Sequence, residues 1–127
     1  MKLSSLATAG LTTSILSILA GAIVRATGSG DGCGASWPTC NGRVIPSLET
    51  SSEIIEFSHR SISGVLLIVT LLLFVKSKDP DTPLLHKKII NYLTFFVLLE
   101  AAIGAVIVIY EWAVSYTHLT LPTNACV

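Results

Sequence analysis

Three long apolar blocks decide most of what this chain can fold into. They run over residues 3–24, 54–75 and 89–110. A helix rises about 1.5 Å per residue, so roughly 20 apolar residues cross the ~30 Å hydrocarbon of a bilayer. Lipid offers the backbone no hydrogen bonds, and an isolated block that satisfies its own N–H and C=O groups there is a helix. Charged residues make up 13% of the chain, about half the share usual in soluble domains. The expected fold class is all-α: a polytopic membrane protein with three transmembrane helices. Most of the 127 residues are committed to spans, which leaves no room for a separate soluble core. The formal net charge of zero argues against nucleic acid as a partner, because phosphate binding needs a basic surface.

The first block also has the outline of a signal peptide: Lys2, an apolar run and the small residues Ala20, Gly21 and Ala22. The run is long for a signal-peptide core, and Arg25-Ala26-Thr27-Gly28 follows without a change of character, so a retained span is expected. Lysine placement orients the helices. Lys2 precedes the first span, and Lys76, Lys78, Lys87 and Lys88 lie between the second and third. The N-terminus and the 76–88 connection are therefore expected in the cytoplasm. Residues 25–53 are expected outside, on a cell membrane crossed several times.

That outer segment is rich in Gly and Pro, which forbid long regular structure. It carries Cys33 and Cys40, with six residues between them. On an oxidising face two such cysteines can meet as a disulfide, either structural or exchanging with a redox partner. Structural zinc sites use four ligands at closer spacings, and this loop has no second pair; metal and free thiols are the alternatives. After Val114 the sequence SYTHLTLPTNACV reads as neither a fourth span nor a soluble element. It is similar to the peptide made when a sequencing adapter is translated. Residues 115–127, with the odd Cys126, are expected to be non-native, leaving 1–114 as the domain.

The mouth of the second span is unusual: EIIEFSHRSISG, residues 53–64, places two glutamates, a histidine and an arginine beside an oily run. At helical spacing Glu56, His59, Arg60 and Ser63 form one polar stripe. Interfacial anchoring, with charged tips reaching the headgroups, is one explanation. A cofactor site is the other. Imidazole ligates haem iron in membrane cytochromes, a carboxylate can orient the ring or move protons, and arginine pairs with propionates. Glu100 lies near the middle of the third span, about 15 Å deep and level with Gly64. An ionised, unpaired carboxylate there is costly. It is expected to be neutral and bonded to a neighbouring helix, or to end a pocket that runs inward from His59.

Taken together, GAIVRATGSG (21–30), CGASWPTCNGRVIP (33–46), EFSHR (56–60) and LLEAAIGAVIV (98–108) resemble the heme A synthase family of cytochrome oxidase assembly proteins. The resemblance covers about residues 10–112. It implies an eight-helix membrane protein built of two four-helix halves, of which this chain holds three helices of the N-terminal half. The implied activity is oxidation of a heme O ring methyl to a formyl group, giving heme A for terminal oxidases. By this resemblance Glu56 is the reaction carboxylate, and His59 a haem-iron ligand. Arg25 and Arg60 are propionate partners, and Cys33 and Cys40 the outer-loop cysteine pair. The implied cofactor is heme b, with heme O as substrate; membrane lipid, a heme O synthase and a terminal oxidase are the implied partners.

The chain departs from the family in three respects. The fourth helix with its partner histidine and the whole second half are not found in the sequence. His118 follows the third span too closely to replace that histidine. Glu100 stands where glutamine is commoner. The chain is therefore expected to be inactive by itself. A small membrane haem-binding protein and a structural assembly subunit are the competing functions.

Overall fold

The computed structural model describes residues 2–34, 36–47 and 49–119, with side chains described up to residue 110. Three helices follow one another: α1 (Leu3–Thr27), α2 (Ser51–Ser77) and α3 (Leu84–Leu119), with one 3-10 turn at Ser29–Asp31. The described residues contain no strand beyond a single bridge between Cys40 and Arg43. Leu3–Thr27, Ser51–Ser77 and Leu84–Tyr110 are each long and apolar enough to cross a membrane. The all-α, three-span expectation holds; α1 and α2 are a few residues longer than their apolar blocks, and α3 extends further at both ends.

Local chemistry sets the ends. Gly28 closes α1 in the left-handed conformation, φ +64°, where glycine is unstrained. Thr50 caps α2 by accepting the Glu53 N–H on its hydroxyl. Pro80 and Pro83 punctuate the short α2–α3 connection. α3 continues through residues 115–119, where no regular element was expected. Neither glycine nor proline occurs between Gly104 and Pro122, so nothing in the sequence stops it. The rest of the suspected non-native tail, and the His118 side chain, lie outside the described residues.

Hydroxyls within the spans return to their own helix. Thr8, Thr12, Thr13 and Thr27 donate to carbonyls four residues back at 2.7–3.0 Å, which satisfies them in a medium without water. α1 and α2 run antiparallel along a seam of small residues. Gly10 faces Val69, and the Ser17 and Ser63 hydroxyls share a hydrogen bond of 2.8 Å. At the lysine-rich end Leu6, Leu73 and Ile90 form the buried apolar cluster that joins all three helices, backed by Leu3 and Phe74. Beyond Thr94, α3 buries no further described side chain.

Candidate functional site

At the opposite end the α1–α2 loop folds back onto the first turns of α2. Its closest approach is at Gly32, where a Cβ would fall 2.5 Å from the Ser52 carbonyl group; any larger residue collides there. Asn41 and Gly42 both take positive φ, 51° and 76°. Cys40 and Arg43 exchange backbone hydrogen bonds across them, the reversal that an Asn-Gly pair favours. Cys33 and Cys40 are brought together and their sulfurs are bonded. Both cysteines have lost all exposed surface.

Two α2 carboxylates are buried beneath this loop. Glu56, 3% exposed, accepts the Cys33 N–H at 2.7 Å through Oε2 and pairs through Oε1 with Arg60, one turn on. Arg60 also donates from Nη1 to the carbonyls of Ser36 and Thr39, at 2.6 and 2.9 Å. Arg60, expected to meet a propionate, thus also holds the carbonyls of the loop. A guanidinium shielded from solvent satisfies its donors on the nearest acceptors. Glu53 accepts from the Ser47 hydroxyl and N–H at 2.7 and 3.3 Å. Cys40 Sγ lies 3.6 Å from Glu53 Oε1, a contact only, because a disulfide sulfur carries no proton. Glu53 was not among the sequence candidates. The Thr50-x-x-Glu53 pattern announces a helix start, but its carboxylate turns to Ser47 instead of closing the capping box.

His59 lies across the seam from α1. An ideal Cβ at Gly21 would sit 3.1 Å from His59 Cε1, so the imidazole packs directly on the glycine. Its Nδ1 is buried without a hydrogen-bond partner. Native interiors rarely leave such an atom unpaired, and a functional role is one reason they do. Arg25 shares a helix face with Gly21, one turn nearer the loop; it is exposed and makes no side-chain ion pair among the described residues.

Glu100 is not brought into this group. Its side chain is exposed. It lines neither of two clefts, of about 450 and 490 Å³, at the lysine-rich end. The pocket expected to run from His59 to Glu100 is not among these clefts, and the side chains that α3 buries, Ile90 and Thr94, lie nearer its lysine-rich start. Among the described residues no three His, Cys, Asp or Glu side chains converge on an ion position. The residues nevertheless suit haem, whose iron is carried by the macrocycle and asks of the protein an axial donor. His59 offers a nitrogen without a hydrogen-bond partner, Gly21 sets no side chain against its ring, and Arg25 supplies a cation with no ion pair among the described residues.

Comparison with known proteins gives the same direction. The family model COX15-CtaA, cytochrome oxidase assembly protein, matches residues 4–55. Heme A synthase of Lysinibacillus sphaericus is 41% identical over 97 residues, covering 76% of this chain and 32% of that protein. Heme A synthase of Staphylococcus aureus is 40% identical over 94 residues, covering 73% and 31%. A protoheme IX farnesyltransferase of Thermus thermophilus is 41% identical over 114 residues, covering 87% of this chain but 18% of that protein. The chain thus spans about a third of the length of the heme A synthases it matches. No solved structure matches it. With a buried carboxylate, a histidine and a cysteine loop at the positions that carried the resemblance, and relatives about 40% identical over three quarters of its length, the chain belongs to the heme A synthase family.

Proposed function

We propose that this chain supplies the loop-side part of a haem site that oxidises the ring methyl of heme O to a formyl group. The observation that carries this reading is the His59 imidazole, its Nδ1 buried and unpartnered, one turn from the buried carboxylate of Glu56. His59 would hold the haem iron and Arg25 a propionate, and the haem would supply the redox chemistry. Glu56 would hold or pass protons released as the methyl is oxidised. Through the Cys33 N–H and Arg60 it also fixes the loop above the site. The substrate is large and apolar, and a site within the bilayer receives it without a passage through water.

On this reading the loop faces outside the cell membrane and the lysine-rich end the cytoplasm. Residues 1–114 are the family domain, and 115–127 are non-native; the genomic DNA beyond codon 114 tests that boundary. The 127 residues alone are inactive, since the described residues present one histidine at the site. The farnesyltransferase relative supports a second enzyme nearby, one that makes farnesylated haem. Its match occupies too little of that protein to lend this chain the transferase activity.

A chimaera tests the function. Residues 10–112 replace the matched part of the Lysinibacillus heme A synthase, in cells lacking their own. Heme A is identified by pigment mass. The chimaera makes heme A, and Glu56→Gln lowers output roughly tenfold or more while haem remains bound. Normal heme A from the Glu56→Gln chimaera overturns the role given to Glu56. Unchanged haem content in His59→Ala overturns the ligand.

A further inference from the structure

Four glycines lie within the spans, and only one of them would crowd a neighbour if it carried a side chain. A Cβ at Gly64 or Gly104 would find nothing within 4 Å, and one at Gly10 would make an ordinary 3.8 Å contact with Val69. At Gly21 it would fall 3.1 Å from His59 Cε1, 3.5 Å from Nε2 and 3.6 Å from Nδ1. These three atoms form the Cε1 edge of the imidazole, a ring nitrogen on either side, and that edge faces α1. The first distance is shorter than van der Waals contact comfortably allows, so even alanine must displace the ring or part the helices. No hydrogen bond at Nδ1 fixes the ring, because that atom has no partner.

We propose that Gly21 is the positioning residue for His59: the missing side chain on α1 sets where the imidazole stands and so the direction in which its ligating nitrogen points. This rests on the haem reading of His59 above. Small residues elsewhere on the seam bring the helices together; Gly21 acts on the orientation of one functional ring. Metal-site neighbours that orient a ligating histidine typically change metal affinity by about 10- to 100-fold when altered.

The test uses the full chain in detergent micelles, titrated with ferric heme b and followed by Soret absorbance. The His59 ring is followed by NMR of histidine-labelled protein, its resonance assigned with His59→Gln. Gly21→Ala is expected to weaken haem binding about tenfold, to move the His59 ring resonance and to alter the Soret band. Gly10→Ala and Gly64→Ala, which have room for the methyl, leave all three unchanged. In the double variant Gly21→Ala/His59→Ala, binding falls no further than in His59→Ala alone. A Gly21→Ala chain with wild-type titration and ring resonance overturns the proposal. So does an additive loss in the double variant, which would place the effect of Gly21 outside His59. Identical titrations for wild type and His59→Ala overturn the haem reading itself; the ring resonance of Gly21→Ala still decides whether Gly21 positions the imidazole.

Discussion

The two ends of the helix bundle are held together by opposite means. At the lysine-rich end Leu6, Leu73 and Ile90 join three helices by apolar contact. At the loop end the described side chains that lose most exposure are Cys33, Cys40, Ser29, Glu53 and Glu56, and the order comes from directed bonds. In a bilayer the difference is instructive. Lipid tails are as apolar as leucine, so the first end gains only packing and specificity. The second removes carboxylates and backbone groups from solvent, and each must keep its partner.

The comparison can be broken most forcefully at Glu56. Glu56→Ala leaves Arg60 and the Cys33 N–H beneath the loop without their carboxylate. Removing one member of a buried ion pair costs about 3 kcal/mol. The expected result is loss of amide protection over residues 33–47 in hydrogen exchange, with the helical circular dichroism retained. Full protection in that variant would mean that the disulfide alone holds the loop. Leu73→Ala should act at the other end and more weakly. Lipid can fill part of the gap, and a loss of about 1–2 kcal/mol is expected in detergent unfolding, with loop protection unchanged. The smallest effect belongs to the middle of the seam. Ser17→Ala removes one interhelical hydrogen bond and should cost about 0.6 kcal/mol; a loss several times larger would show that the two ends are coupled through it.

The sequence makes some of this legible and hides the rest, for physical reasons. The spans can be read because lipid imposes a length and a composition on any helix that crosses it. The polar cluster at 53–60 can be noticed because charge is rare beside such spans. What these side chains bond to depends on the path of a Gly- and Pro-rich loop, which no periodicity encodes. Arg60, expected to meet a propionate, also holds the carbonyls of Ser36 and Thr39, which no spacing announces. Glu53 was passed over, and it is buried. The Asn41-Gly42 pair was the one local signal of how the loop reverses. For Glu100 counting residues gives a depth but not a direction, and the side chain is exposed on the three-helix surface. Gly21 had no signal of its own, since its importance appears only when His59 is seen opposite it.

The grip of α2 on the loop also bears on how freely this protein can evolve. Glu56 and Arg60 hold main-chain atoms: the Cys33 N–H and the carbonyls of Ser36 and Thr39. Main-chain atoms are the same whatever residue carries them. Trp37, Val44 and Ile45 project from this frame with 57%, 79% and 73% of their surface exposed. A substitution on that rim therefore changes what the rim can meet without removing a bond from the scaffold beneath it.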